Sequence, residues 1–311
     1  MKNKSLRGSL LLLLATVIWG FAFSAQRAGM DAMAPVSFNG IRNLLAGFCL
    51  IPAVMISDRL HPGRREAARA QRGTYLRACG GCGVLLFLAS TLQQIGLVET
   101  TAGKAGMITA MYVVLVPLAG WILFKRRPSP QVWFCAAMAV VGLYLLSVPA
   151  GERFSVNRGD LLVLACAVCF TGQILLVDRY APVLDGFRLS CGEFLVCGTL
   201  GLLTSLPFET ITLTGIRAAL PAILYAGVLS GAVGYTLQIF GQRDTSPNVA
   251  SLIMCLESVF AVLGGALILG ERMQPREAAG CFILFAAVVL SQLPGLHAGK
   301  KKHPEELPDG K

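Results

Sequence analysis

Apolar runs of roughly 17–24 residues alternate with short polar segments along almost the whole chain, at about 9–28, 36–56, 77–98, 105–124, 132–148, 161–177, 187–206, 218–241, 248–270 and 276–293. A helix that crosses a bilayer needs about 20 predominantly apolar residues, so the pattern predicts an all-α integral membrane protein of ten transmembrane helices. Residues 30–35 and 99–103 read as tight turns. Lys125-Arg126-Arg127 followed by Pro128 and Pro130 stops the fourth helix. The longest polar stretch, 58–74, carries Arg59, Arg64, Arg65, Arg69 and Arg72 and reads as a loop. Pro221 is expected in the first turn of the eighth helix, where proline is tolerated.

The pattern also repeats. Thr91, Leu92, Gln93, Gly96, Thr100, Ala105, Gly120 and Pro130 recur 145 positions later as Thr236, Leu237, Gln238, Gly241, Thr245, Ala250, Gly265 and Pro275. Leu11, Leu12, Leu14 and Ala15 fall on Leu161, Leu162, Leu164 and Ala165 at a shift of 150, and Gly47 on Gly198 at 151. A fixed period of this kind sets the architecture. It divides the chain into a leader (1–8), a first five-helix unit (9–148), a link (149–159), a second five-helix unit (160–293) and a charged tail (294–311). Five is odd, so the second unit enters the membrane with opposite polarity. The expected fold is therefore two inverted five-helix repeats, an arrangement common in secondary transporters, with the substrate site near the midplane between them.

Composition agrees. Of 311 residues, 55% are hydrophobic and 14% charged, against about 25% charged in soluble domains. The net charge of +10 does not point to nucleic acid, because the basic residues sit in short loops rather than on one aromatic-bearing face. With the N-terminus inside, nineteen Lys and Arg fall on inner segments and seven on outer ones. This bias predicts a multi-pass protein of the cytoplasmic membrane with both termini cytoplasmic. No cleavable leader is evident. Eight of the ten cysteines lie in apolar runs, where Cys is a small hydrophobe. The C-x-x-C spacings at Cys79/Cys82 and Cys166/Cys169 have no intramembrane histidine beside them, so neither metal nor cofactor is expected.

Several stretches resemble a known family. Residues 19–26 read W-G-F-A-F-S-A-Q, followed by Gly29-Met30-Asp31 and by P-V-S-F-N-G-I-R over 35–42. Residues 100–117 read T-T-A-G-K-A-G-M-I-T-A-M-Y-V-V-L-V-P, and 256–271 read L-E-S-V-F-A-V-L-G-G-A-L-I-L-G-E. These are similar to the EamA repeats of the drug/metabolite transporter superfamily, and the likeness covers about 9–293. It implies an exporter of amino acids, drugs or other small metabolites, and says little about which. Cys169 stands where the first copy has Trp19, so the tryptophan signature is confined to one repeat.

Ionisable groups inside spans are costly and default to functional candidates. Arg42 shares a helix face with Asn39 and Ala46 and is a candidate for holding a substrate carboxylate, or for a snorkelling or structural role. Glu257, in mid-span, is a candidate for binding a substrate amine or for shuttling a proton, the candidate coupling ion. Its counterpart at 145 is Tyr112. Glu193, the counterpart of Arg42 at 151, reads as a gating or charge residue close enough to the inner interface to be solvated. Gln93 and Gln238 are symmetry-related gate or pocket candidates, joined by Gln94. Lys104 stands at an outer mouth, either snorkelling or attracting anions. Trp19 and Tyr112 are candidate pocket walls. Gly227, Gly231, Gly264, Gly265 and the Gly80-Gly81-x-Gly83 run are expected to let helices approach closely. Glu271 is expected to cap the tenth helix.

Two other classes fit less well. A membrane-embedded enzyme needs clustered His, paired Asp or a nucleophile beside a base, and the two buried carboxylates lie in different helices. A non-transporting receptor needs a signalling domain, for which 58–74 is too short. The phosphate-binding G-x-x-x-x-G-K-[ST] motif is absent, so energy would come from an ion or substrate gradient.

Overall fold

The structure, a computed structural model, describes residues 2–148, 156–268 and 274–293. Most of the link, Glu271, the surroundings of Gly264 and Gly265, and the tail lie outside the described residues. Among the described residues the chain is all-helical. Eight helical runs are long and apolar enough to cross a membrane: Ser5–Met30, Pro35–Leu60, Arg72–Glu99, Ala102–Phe124, Pro130–Ser147, Arg158–Tyr180, Gly186–Ser205 and Leu213–Asp244. Shorter apolar helices follow from Pro247 onward.

The elements are α1 (Lys2–Met30), α2 (Pro35–Leu60), α3 (Pro62–Ala70), α4 (Arg72–Glu99), α5 (Ala102–Thr109), α6 (Tyr112–Phe124), α7 (Pro130–Ser147), α8 (Arg158–Tyr180), α9 (Gly186–Ser205), α10 (Leu213–Leu224), a π-helical segment (Tyr225–Tyr235), α11 (Thr236–Asp244), α12 (Pro247–Met254), α13 (Glu257–Ile268) and α14 (Pro275–Ser291). Local chemistry explains the ends. Ser129 caps α7, with Pro130 in its first turn, and Asn157 and Asp160 form a capping box on α8. Asp185 caps α9. Lys125, at φ 54°, ends α6 in the left-handed region just before Pro128.

Three expectations are corrected. Residues 58–74 are not simply a loop: α3 forms there, because Pro62 at its first position and the following Arg and Ala residues suit a helix. The eighth helix begins at Leu213, where the Thr212 hydroxyl accepts from the Gly215 amide at 3.1 Å. Pro221 therefore sits inside a helix rather than in its first turn. The wide π segment begins four residues later, and such segments frequently mark functional sites.

The third correction concerns the helices expected at 105–124 and 248–270, which are both interrupted. Met111 N donates to Ile108 O at 3.1 Å, and Leu256 N to Ile253 O at 3.0 Å. Each is an i→i−3 bond, and each tightens its helix at the same place when one is laid on the other at a shift of 145. The thiol of Cys255 reaches the Ala110 carbonyl at 3.5 Å, so the two interruptions touch.

Packing follows a reciprocal scheme. α2 lies along α9, α4 along α8 and α9, α7 along α14, and α1 along α11 and α13. A Cβ on Gly96 would meet the Gly159 carbonyl and Val163, while one on Gly241 would meet the Gly8 carbonyl and Leu12. The first-helix partners in these contacts, Gly8 with Gly159 and Leu12 with Val163, are 151 apart rather than 150. The expected close approaches hold at Gly83, Gly227 and Gly231, whereas nothing lies within 4 Å of where a Gly80 Cβ would stand. Leu10, Leu14, Phe48, Met55, Ile122, Phe134 and Phe282 point outward, which is the surface a bilayer solvates.

Candidate functional site

A cavity of about 50 Å³ lies where α1, α4, α8 and the π segment meet the two interrupted helices. Six of the ten candidates from the sequence line it: Trp19, Arg42, Gln93, Tyr112, Gln238 and Glu257. Sequence reasoning missed Gln26, Thr109, Phe170, Gln173, Ser230 and Tyr235 among the other wall residues. Gln26 and Gln173 were legible as amides inside apolar runs. Tyr235 was not, since a single tyrosine in a span is ordinary packing.

The lining is built from matched positions. Gln93 and Gln238, Thr109 and Met254, and Tyr112 and Glu257 are 145 apart, while Trp19 and Phe170, Ala22 and Gln173, and Phe23 and Ile174 are 151 apart. The residue of the second half that takes the place of Trp19 in the wall is thus Phe170 rather than Cys169.

Arg42 reaches the cavity from α2, two turns into the helix, and is 6% exposed. Its Nε donates to Asn39 Oδ1 at 3.0 Å, and Asn43 Nδ2 donates to the same oxygen. The amide of Asn39 in turn donates to Ser90 and Thr91 on α4, both at 3.0 Å. Asn39 therefore does not line the cavity; it anchors Arg42 to α4. No carboxylate among the described residues pairs with the guanidinium. The expected helix face of Asn39, Arg42 and Ala46 points inward, as all three are buried.

Glu257 opens α13 immediately after the tightened turn. Tyr112 opens α6 in the same way, and its hydroxyl donates to Glu257 Oε1 at 3.3 Å. Arg42 and Glu257 border one cavity without forming an ion pair. Trp19 Nε1 donates to the Ser230 carbonyl in the π segment at 3.0 Å, and its ring lies 4.9 Å from that of Tyr235. Gln93 Nε2 donates to Thr109 Oγ1 at 3.0 Å. Gln238 Nε2 donates to Gln173 Oε1 at 3.2 Å and Gln242 Oε1 at 2.8 Å.

The remaining candidates lie outside the cavity wall. Gln94 is fully buried and donates to the Gln26 carbonyl at 3.4 Å. Glu193 is not solvated at an interface as expected; it is 0% exposed and accepts from Gln173 Nε2 at 3.4 Å. The reason is that α9 is packed along much of its length by α2 and α4. Lys104 does not simply snorkel: its Nζ is paired with Asp160 at the head of α8 at 2.5 Å, and Asp160 also accepts from the Thr100 hydroxyl at 2.7 Å. Asp160 carried no signal in the sequence beyond its capping position.

Comparison with known proteins agrees with this architecture. The model of the EamA-like transporter family matches twice, at 6–148 and at 157–293. An uncharacterized transporter of Archaeoglobus fulgidus is 29% identical over 294 residues, covering 93% of this chain and 87% of the relative. The uncharacterized inner membrane transporter YedA of Escherichia coli is 25% identical over 283 residues, covering 89% and 88%. A solved crystal structure superposes with a TM-score of 0.73 at 18% identity, over 92% of this chain and 96% of that one, which bears on the fold alone. With the family model matched across both halves of the sequence, this chain belongs to the EamA-like transporter family.

Proposed function

We propose that the protein is a secondary transporter that carries a small zwitterionic solute, of the amino-acid class, across the cytoplasmic membrane by alternating access, and that it works as an exporter. In this reading ten spans form two inverted five-helix repeats, 9–148 and 160–293, with both termini in the cytoplasm. The paired cavity positions, the matched interruptions near 110 and 255 and the double family match support the repeat. Two inverted copies that exchange roles make the outward-open and inward-open states near mirror images, so alternation needs little added machinery.

The observation that carries the substrate class is that Arg42 and Glu257 border one cavity without neutralising each other. An unpaired guanidinium and a carboxyl held by a phenol match the carboxylate and the ammonium of a zwitterion. Burying an unpaired guanidinium is costly, and a bound carboxylate offsets that cost through charge-assisted hydrogen bonds. Trp19, Tyr235 and Phe170 supply apolar walls for the remainder of the solute. The chemistry of a membrane-embedded enzyme is not favoured by any cluster in the wall.

The test is flux of a panel of radiolabelled amino acids into proteoliposomes holding the purified protein. Uptake of at least one is expected, with loss of tenfold or more in Arg42→Gln and in Glu257→Gln while both remain folded. Absence of flux for the whole panel, or wild-type flux in both variants, overturns the zwitterion reading.

A further inference from the structure

Glu193 is a second buried carboxyl, and the cavity does not use it. It is 0% exposed, its Oε2 accepts one long bond from Gln173 Nε2 at 3.4 Å, and its Oε1 has no partner. The groups around it are thiols, a phenol and an amide. Cys79 and Cys82 face it from α4, Tyr235 from the π segment and Cys197 from its own helix. Arg42, on α2, bears on Cys197 and on Tyr235, Glu257 bears on Tyr235 as well, and Arg42 makes no ion pair with Glu193. A Cβ on Gly83 would stand 2.8 Å from the Glu193 backbone carbonyl, so α4 runs close against α9 at this level.

A second orphaned acceptor is joined to the first. Gln238 Oε1 is also buried without a partner, while Gln238 Nε2 donates to Gln173 Oε1. One amide, Gln173, thus lies between two side chains that each carry an acceptor oxygen without a donor, donating to Glu193 Oε2 and accepting from Gln238 Nε2. Buried acceptors without donors are rare and call for an explanation, and an ionised carboxylate without a cation is costly to bury. Gln173 and Gln238 both line the cavity, so Glu193 is hydrogen-bonded to a residue of its wall.

We propose that Glu193, Gln173 and Gln238 form a proton-binding site that couples transport to the proton gradient, separate from the Arg42 and Glu257 pair. The proton sits on Glu193, taken from and returned to bulk water as the bundle alternates. With it, Glu193 gains an O–H donor for a neighbouring acceptor. Without it, the carboxylate draws the Gln173 amide toward itself and rearranges the Gln173–Gln238 link. Glu257, with its phenol donor and open face on the cavity, remains the substrate carboxyl. The coupling role rests on the transporter reading above, whereas proton binding does not, and the experiment separates the two.

Difference infrared spectroscopy of the full-length protein in liposomes reads the carbonyl stretch of a protonated carboxyl directly and needs no substrate. A band that titrates with pH is expected, retained in Glu257→Gln and lost in Glu193→Gln. Gln173→Met, which keeps Glu193, is expected to move its midpoint, so the site stays testable if Glu193→Gln does not fold. In the flux arm, an imposed pH gradient is expected to accelerate amino-acid uptake by the wild type and not by Glu193→Gln. A titrating band that persists in Glu193→Gln, a midpoint unmoved in Gln173→Met, a response to sodium at fixed pH in place of the pH response, or gradient-driven flux in Glu193→Gln overturns the proposal. Absence of any amino-acid flux with the band behaving as expected removes the substrate reading and leaves the proton site.

Discussion

The Tyr112 hydroxyl donates to Glu257 Oε1 at 3.3 Å across a separation of 145 residues, which is the period of the repeat itself. Each of the two residues begins a helix after a tightened turn, and the Cys255 thiol meets the Ala110 carbonyl just behind them. The bond therefore joins equivalent points of the two halves at their crossing. A cross-repeat contact of this kind ties the two halves of the chain together in the cavity wall.

Tyr112→Phe tests that contact. The variant leaves the buried Glu257 carboxyl without its phenol donor, a loss worth about 1–3 kcal/mol. A lower melting temperature and a flux–pH profile displaced from that of the wild type are expected in proteoliposomes. An unchanged profile would mean that the bond plays no part in the cycle.

Lys104 and Asp160 close the bundle at one end, with side chains 17% and 2% exposed. Asp160 also accepts from Thr100 and from the Asn157 amide. Asp160→Asn weakens all three, and weakening hydrogen bonds to a charged group costs about 1.5–3 kcal/mol. A fall in melting temperature is expected, together with faster labelling of a cysteine introduced at Thr101 by a membrane-impermeant thiol reagent, measured against the same cysteine with Asp160 intact. Equal labelling rates would count against a closing role.

Gly227 belongs to the π segment, and a Cβ there would stand 2.7 Å from the Arg42 carbonyl. Backbone does not yield as a flexible side chain does, so Gly227→Ala is expected to force the segment away from α2 at about 1–3 kcal/mol. Thermal unfolding in detergent and the flux assay both read the effect. Full flux with an unshifted unfolding temperature would show that the contact is slack.

Trp19→Phe keeps the ring beside Tyr235 but removes the bond to the Ser230 carbonyl. The loss is about 1 kcal/mol for a typical hydrogen bond, with the larger effect expected on flux because the freed carbonyl belongs to the cavity wall. Flux measured beside the melting temperature separates the two contributions.

Much of the fold was legible from the chain alone. Apolar run length against bilayer thickness is a local constraint, and it predicted the helices whose bounds agree to within a few residues, such as α7 and α9. The exact recurrence at 145 also needs no structure, and neither does the cost that singles out Arg42, Glu193 and Glu257. Apolar periodicity carries no information about a tightened turn, so α5 with α6 and α12 with α13 each read as one helix. The π segment was hidden for the same reason, since a wider helix leaves no mark in apolar periodicity.

Partner choice needed the tertiary structure. Arg42 and Glu193 are equivalent by sequence, yet one borders the cavity and the other is buried outside its wall, because side-chain direction depends on how whole helices are packed. Lys104 looked like a lone cation until Asp160, 56 residues away, supplied its partner. The sequence by itself determined where the apolar segments lie and that the two halves match, because each segment answers to the bilayer. Which polar residues share a cavity, and which satisfy each other, was decided only when the two halves packed together, because a hydrogen bond depends on distances that no stretch of chain sets alone.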